Sequence, residues 1–171
     1  TPTHEPVPRE YDVVGAILIK RAVREGYATV NRRDPEAVAE LFHEDAVFEF
    51  QGETVKSGRF EGRRAIREWF ANWFETMPVT RFTVRHVSVE NIFALSNSNV
   101  VHVEWDLEEA DPAGNRYRLT GVTAFVIKGG KARSAKDYIF DQPLLAKILA
   151  PSNAEQRRDG EQTRVLAVAS V

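Results

Sequence analysis

The sequence predicts an α+β fold in which a strongly curved antiparallel sheet forms a cone around a pocket, with helices packed against it. Apolar residues recur at helical spacing in the first half of the chain, most clearly over residues 10–31 and 63–76. In the second half they alternate with polar residues, which is typical of strands. The four strands predicted there are long, and such strands suit a sheet that curls around its contents.

Two helices are expected before the first strand. Residues 10–31 form the first, and the Arg33-Asp34-Pro35 sequence follows it. Asp34 is a good N-cap and Pro35 suits the first helical position, so we expect a short second helix over residues 36–42.

A strand pair and a third helix complete the first half. The spacing of apolar residues changes to two at Ala46, which predicts a strand. A second short strand is expected between Gly52 and the Ser57-Gly58 pair. The third helix runs over residues 63–76 and ends before Pro78.

The second half is predicted to be strands followed by an apolar helical start. We expect strands over residues 80–93, 99–109, 117–128 and 131–140, and a helix from Leu144. The predicted domain organisation is a flexible arm (residues 1–9), one α+β cone domain (residues 10–150) and a C-terminal tail (residues 151–171).

Composition limits the classes of function. The 171 residues have a net charge of -2, which disfavours nucleic acid as a partner. The absence of cysteine excludes disulfides, thiolate catalysis and cysteine-based zinc sites. No apolar run is long enough to span a membrane, and the polar, proline-rich first residues are unlike a secretory signal, so a cytoplasmic location is the default expectation.

Three segments carry a resemblance to a known superfamily. They are RDPEAVAELFHEDAVF (residues 33–48), FEGRRAIREWF (residues 60–70) and GKARSAKDY (residues 130–138). Together with the order of elements, they resemble the nuclear-transport-factor-2-like superfamily over about residues 16–150, particularly SnoaL-like polyketide cyclases and limonene-epoxide hydrolase. The resemblance implies the cone fold, but this fold hosts many activities.

The resemblance also implies a set of acids in the pocket. The hydrolase has inward acids on the strand of residues 99–109 and on the last strand, at positions that correspond to Asp106 and Asp137. SnoaL-like cyclases place their catalytic acid at the position of Asp137. Glu104 stands where the hydrolase has an arginine, so three acids would lie close together and at least one pKa would rise.

The residue pattern alone favours the opposite face of that strand. Side chains alternate across a strand, and within the predicted strand of residues 99–109 the apolar residues have odd numbers. On this interpretation the strand buries Val101, Val103, Trp105 and Leu107. The polar face then exposed to solvent would carry His102, Glu104, Asp106 and Glu108.

This sequence differs from the relatives at positions that their mechanisms need, which argues against those mechanisms here. Phe48 and Phe50 stand where the hydrolase holds its attacking water with a tyrosine and an asparagine, and Phe50 also stands where ketosteroid isomerase has its base. The further candidates are therefore His86, at the place of a cavity histidine in scytalone-dehydratase-like relatives, and Tyr27, whose hydroxyl could donate to an oxyanion. No compact metal-binding motif is present, and no metal or other cofactor is expected.

The leading hypothesis is a cofactor-independent enzyme that acts on a hydrophobic, polyketide- or terpenoid-like molecule by cyclisation, isomerisation, dehydration or epoxide opening. Asp137 would be the general base, Asp106 and Glu104 proton donors, His86 a relay and Tyr27 an oxygen-binding group. The substrate-binding residues would be Phe48, Phe50, Trp69, Phe82, His102, Leu119 and Phe125. The alternatives are a non-catalytic binding module and an interaction domain that dimerises through the face bearing Val101, Val103 and Trp105; a homodimer is expected in either case.

Overall fold

The structure is a computed structural model that describes residues 10–91 and 98–150, with side chains from residue 17 onward. The predicted arm (residues 1–9) and tail (residues 151–171) lie outside the described residues. The helices are α1 (Glu10–Asn31), α2 (Pro35–Ala39), α3 (Arg63–Thr76) and α4 (Gln142–Ile148). The strands are β1 (Phe42–Phe50), β2 (Gly58–Glu61), β3 (Val79–Val89), β4 (Asn99–Ala110), β5 (Arg116–Lys128) and β6 (Lys131–Ile139).

The predicted α+β class is confirmed. The strands form one curved sheet in the order β2-β1-β6-β5-β4-β3. Neighbouring strands are antiparallel except β1 and β6, which pair in parallel. The sheet is therefore mixed at one position, where β1 and β6 are joined through β2, α3, β3, β4 and β5 and not by a tight turn. None of the described helices is long and apolar enough to cross a membrane.

The predicted boundaries of α1 and α3 are accurate, but α2 is shorter than predicted and the first two strands are shifted. Asp34 caps α2 by accepting hydrogen bonds from the N–H groups of Glu36 and Ala37, and α2 ends at Ala39 rather than residue 42. The second strand begins at Gly58 instead of lying between Gly52 and the Ser57-Gly58 pair. A turn precedes this strand, and the N–H of Ser57 donates to the carbonyl of Thr54 over 3.0 Å.

The concave face of the sheet and α3 form the core. The odd residues of β4 face inward, as the residue pattern predicted, and they are almost completely buried. Trp69, Trp73 and Phe74 of α3 close one end of the cone. Burying these large rings supplies much of the hydrophobic stabilisation of the domain.

Helix α1 lies over the open side of the sheet and is fixed to β3 by Asn31. The side chain of Asn31 accepts from the N–H of Phe82 over 2.7 Å and donates to its carbonyl over 2.9 Å. This pair of hydrogen bonds sets the position of the helix along the strand. As a result, Tyr27, one turn earlier, points into the cone and packs edge-on against the ring of Phe82.

Gly121 leaves room for the indole of Trp105. The two residues pair across β4 and β5, and a Cβ on Gly121 would lie 2.4 Å from the carbonyl oxygen of Tyr138 and 2.5 Å from the Trp105 ring. Because the ring is 1% exposed and is surrounded by core residues, it cannot move aside cheaply.

We expect Gly121→Ala to lower the free energy of unfolding by about 2–4 kcal/mol, since the added methyl group overlaps both backbone and indole. Gly26→Ala is the control, because a Cβ there meets only Leu41 at 3.7 Å in a helix. It should leave stability unchanged or raise it by about 0.5–1 kcal/mol. Urea denaturation of both variants measures the difference, and equal stabilities would contradict this interpretation of Gly121.

Candidate active site

A mainly apolar cavity of about 300 Å³ lies between α1 and the concave face of the sheet. It opens between Leu18 on α1 and the Gly129-Gly130 turn, where the lining residues are exposed. Its inner end is formed by Tyr27, Thr123 and Asp137. The aromatic residues that line it are Tyr27, Phe42, Phe48, Phe70, Phe82 and Phe125.

Asp137 lies well inside the cavity. It pairs with Thr123 across β5 and β6, whereas the mouth is at Ile127 and the following turn. At the rise of a strand, the four residues from Thr123 to Ile127 place the carboxyl about 13 Å from the mouth.

The hydroxyl of Thr123, on β5, forms hydrogen bonds with residues of three other elements. It donates to Oδ1 of Asp137 over 2.6 Å. It accepts from the hydroxyl of Tyr27 and from the indole N–H of Trp105, each over 2.8 Å. This arrangement links α1, β4, β5 and β6 at the inner end of the cavity.

Burial raises the pKa of Asp137 to about 7, and the hydrogen bond from Thr123 opposes this increase only in part. No other hydrogen bond or ion pair reaches this carboxyl from the described residues, so Oδ2 is left for a ligand. The pKa of Tyr27 is raised well above its usual value, first by burial and then by the nearby charge of Asp137. Tyr27 therefore stays protonated while Asp137 exchanges protons near neutrality.

Comparison with known proteins agrees with this geometry. The model of the SnoaL-like domain family matches residues 23–135, more than half of the chain. The chain belongs to the SnoaL-like domain family. A comparison with curated protein sequences finds no match.

Solved structures support the same fold for this SnoaL-like domain. Bal32a, from a soil-derived mobile gene cassette, is 22% identical, with a TM-score of 0.66 over 79% of this chain and 98% of its own. TerC, co-crystallised with polyporic acid, is 20% identical, with a TM-score of 0.62 over 78% and 98%. SalBIII, an epoxide hydrolase/cyclase-like enzyme of pyran ring formation in salinomycin, is 25% identical, with a TM-score of 0.60 over 74% and 93%.

Several residues predicted from the sequence line this cavity of the SnoaL-like domain. They are Tyr27, Phe48, Phe82, Phe125 and Asp137. Phe50 and Trp69 line a smaller adjoining cavity beneath α3, which Asp137 also borders. Leu119 is buried in the core and borders neither of these two cavities.

The expected inward orientation of Glu104 and Asp106 is corrected by the structure. Both lie on the outer face of β4, where Glu104 is exposed. Nε of Arg85 donates to Oδ2 of Asp106 over 2.7 Å, in an ion pair open to solvent. His102 is exposed on the same face. Apolar core residues occupy the inward positions of β4, so the polar residues face outward.

A bulge in β3 moves His86 to the outside. Val84 pairs with Trp105 and His86 pairs with Glu104, so Arg85 is an extra residue between two ladder positions. An extra residue reverses the alternation of every side chain that follows it. His86 is therefore exposed, although it shares the parity of the inward Phe82.

The dimer face suggested by the sequence also needs correction. Val101, Val103 and Trp105 are at most 1% exposed inside the cone and cannot form a surface. Tyr138, which is 43% exposed, lies instead on the outer face of the sheet.

Sequence reasoning missed Thr123, and its dimer alternative placed the buried Trp105 on a surface. Thr123 has the same parity on β5 as Leu119 and Phe125, which were both expected to face the cavity. That shared parity was the available signal. Among the described residues, no group of three or more histidine and acidic side chains could hold a metal ion.

A second buried carboxyl, Glu109, lies near the closed end of the cone. It is 2% exposed; its Oε1 accepts from the indole N–H of Trp73 over 2.9 Å, and its Oε2 has no partner. Burial raises its pKa to about 8, so the side chain is mainly neutral at neutral pH.

Glu109 should make the domain less stable as the pH rises. From its ordinary pKa to about 8, the folded state binds the proton that the unfolded state has lost, so the free energy of unfolding falls across this range. Glu109→Gln should remove this contribution, on the order of 5 kcal/mol, and leave the slope due to Asp137, which ends at about pH 7.

Chemical denaturation of wild type and Glu109→Gln from about pH 5 to about pH 9 measures this effect. Glu108→Gln is the matched control, because Glu108 lies on the exposed face and pairs with Arg118. Its slope should equal that of wild type. Parallel slopes for wild type and Glu109→Gln would show that Glu109 is already ionised in the folded protein.

Proposed function

We propose that this SnoaL-like domain is an enzyme that uses Asp137 for acid–base chemistry on a hydrophobic small molecule. The observation that carries this proposal is the free oxygen of Asp137, which lies deep in an apolar cavity with no partner among the described residues. A group whose pKa is about 7 can both accept and return a proton near neutral pH.

The chemistry of the lining restricts the substrate. No lysine, arginine or histidine lines the cavity where the structure describes it, so an anionic substrate would lack a counter-charge beside Asp137. The aromatic and aliphatic walls favour an apolar molecule, and polyketide- and terpenoid-like compounds meet this requirement.

A single carboxyl suits reactions that return the proton to another atom of the same substrate. Cyclisation, isomerisation and dehydration have this property: Asp137 removes a proton from oxygen or carbon and returns it to carbon or to a departing oxygen. Epoxide opening fits if the opened oxygen receives the proton. The description of SalBIII as an epoxide hydrolase/cyclase-like enzyme supports this class for a related fold.

The experiment is a panel of apolar hydroxy-epoxides, β-hydroxy-ketones and ketones incubated with the protein in D2O. Mass spectrometry with chromatography distinguishes the outcomes. An isomer of the substrate reports cyclisation or isomerisation, loss of water reports dehydration, and gain of D2O reports epoxide opening. Deuterium bound to carbon marks a step in which a proton moves to or from carbon.

Asp137→Asn should lower kcat/KM on any converted substrate at least about a hundredfold, because it removes the general base. Asp106→Asn is the comparison, since Asp106 lies on the outer face, and it should retain wild-type turnover. The wild-type rate should rise with pH through about 7, as Asp137 loses its proton. Full activity of a folded Asp137→Asn protein excludes the assignment, and unchanged recovery of a bound compound favours a carrier.

The expected homodimer remains a proposal. The outer face of the sheet carries an apolar strip that includes Val122, Ala124 and Val126 on β5 beside Tyr138 on β6. Half-buried apolar residues flanked by charged ones are typical of a surface that pairs with a second copy.

A further inference from the structure

While Asp137 is ionised, the three hydrogen bonds of Thr123 allow only one assignment of donors and acceptors. A threonine hydroxyl has one proton and two lone pairs, and an indole nitrogen can only donate. The carboxylate takes the proton of Thr123, and Trp105 fills one lone pair. Tyr27 must therefore give its own proton to the second lone pair.

This arrangement leaves acceptors at the inner end of the cavity. The phenol oxygen of Tyr27 has already donated its proton, so it can only accept from a ligand. Oδ2 of Asp137 is likewise an acceptor when ionised. The amide of Asn99 is near the mouth, where it bonds the backbone of Asn91. No other polar side chain lines this cavity in the described part of the chain.

We propose that Thr123 makes the inner end of this cavity an acceptor site, which selects apolar ligands that carry a hydrogen-bond donor, such as a phenol or an alcohol. A ligand of the same shape without the donor leaves Oδ2 unpaired and buried, and that costs affinity. The inference rests on the proposed function only in placing the ligand against Asp137. It also reverses the expected role of Tyr27, which accepts from the ligand instead of donating to it.

The selectivity should depend on pH because a proton on Oδ2 converts that acceptor into a donor. Tyr27 is the only other titratable side chain that faces Asp137 among the cavity-lining residues described. Glu49 of β1 and Lys136 of β6 lie on the outer face and pair with each other over 3.0 Å. The α3 residues nearest the carboxyl are aromatic and apolar.

The test compares two probes of similar size, 2-naphthol and 2-methoxynaphthalene, by calorimetric or fluorescence titration. At about pH 8, where most of Asp137 is ionised, 2-naphthol should bind about tenfold more tightly, the effect of one charge-assisted hydrogen bond. At about pH 5.5 the preference should fall to about twofold or less, since Asp137 then carries a proton.

Three variants test the part played by Thr123. Thr123→Val should reduce the preference at the higher pH to about twofold or less, because the freed Tyr27 can donate and Asp137 becomes harder to ionise. Thr123→Ser keeps the hydroxyl and should restore the preference. Thr120→Val, on the exposed face of β5, is the matched control and should behave as wild type.

A ligand-free readout separates this role from a purely structural one. The pKa of Asp137, followed by carboxyl carbon NMR, should rise in Thr123→Val and stay near the wild-type value in Thr123→Ser. If Thr123→Val does not fold, the wild-type comparison at the two pH values still decides. Equal binding of both probes at the higher pH, a preference that persists in Thr123→Val, or no saturable binding of either probe would overturn the inference.

Failure of the proposed function has a different signature. Donor-selective binding without conversion of any compound contradicts the enzyme and leaves the role of Thr123 intact. Turnover that depends on Asp137 without donor selectivity contradicts only the role of Thr123.

Discussion

The hydroxyl of Thr123 is the constraint on which the site depends. Its one proton and two lone pairs are all used, by Asp137, Tyr27 and Trp105. Each partner belongs to a different element, so a shift of α1, β4 or β6 would break a hydrogen bond inside an apolar region, where its loss is costly. The missing Cβ of Gly121 is part of this arrangement, because the indole of Trp105 lies in the space it leaves.

The fold was largely predictable because its helices and strands follow simple periodicities. The alternation in β4 also indicated the correct inward face. The resemblance to limonene-epoxide hydrolase led to the opposite expectation. The apolar residues of that face are buried core, as the pattern indicated, and among them only Trp105 and Leu107 border the smaller cavity. The bulge at Arg85 was not predictable, since an extra residue leaves no mark in the composition of β3.

The sequence identified candidate site residues whose role depends on their own side chain, but not those whose role depends on several partners. The places of Asp137 and Tyr27 in the cavity both came from the resemblance. Thr123 could not be identified in the same way, because threonine is common in strands and its role arises from partners on three other elements. That role depends on the register of β5 with β4 and β6, which the sequence leaves undetermined.

Asp106 and Asp137 show how the two faces of one sheet give the same side chain different chemistry. Asp106 meets the guanidinium of Arg85 beside water, and such an exposed pair contributes little and leaves no oxygen enclosed. Asp137 meets only a neutral hydroxyl, and the cavity around it is lined mainly by aromatic and aliphatic side chains. Its charge is therefore poorly compensated, which raises its pKa to about 7. An arginine beside it would favour the ionised form and weaken it as a base, so the apolar wall, with no cation in the described lining, supports the proposed role of this carboxyl in proton transfer.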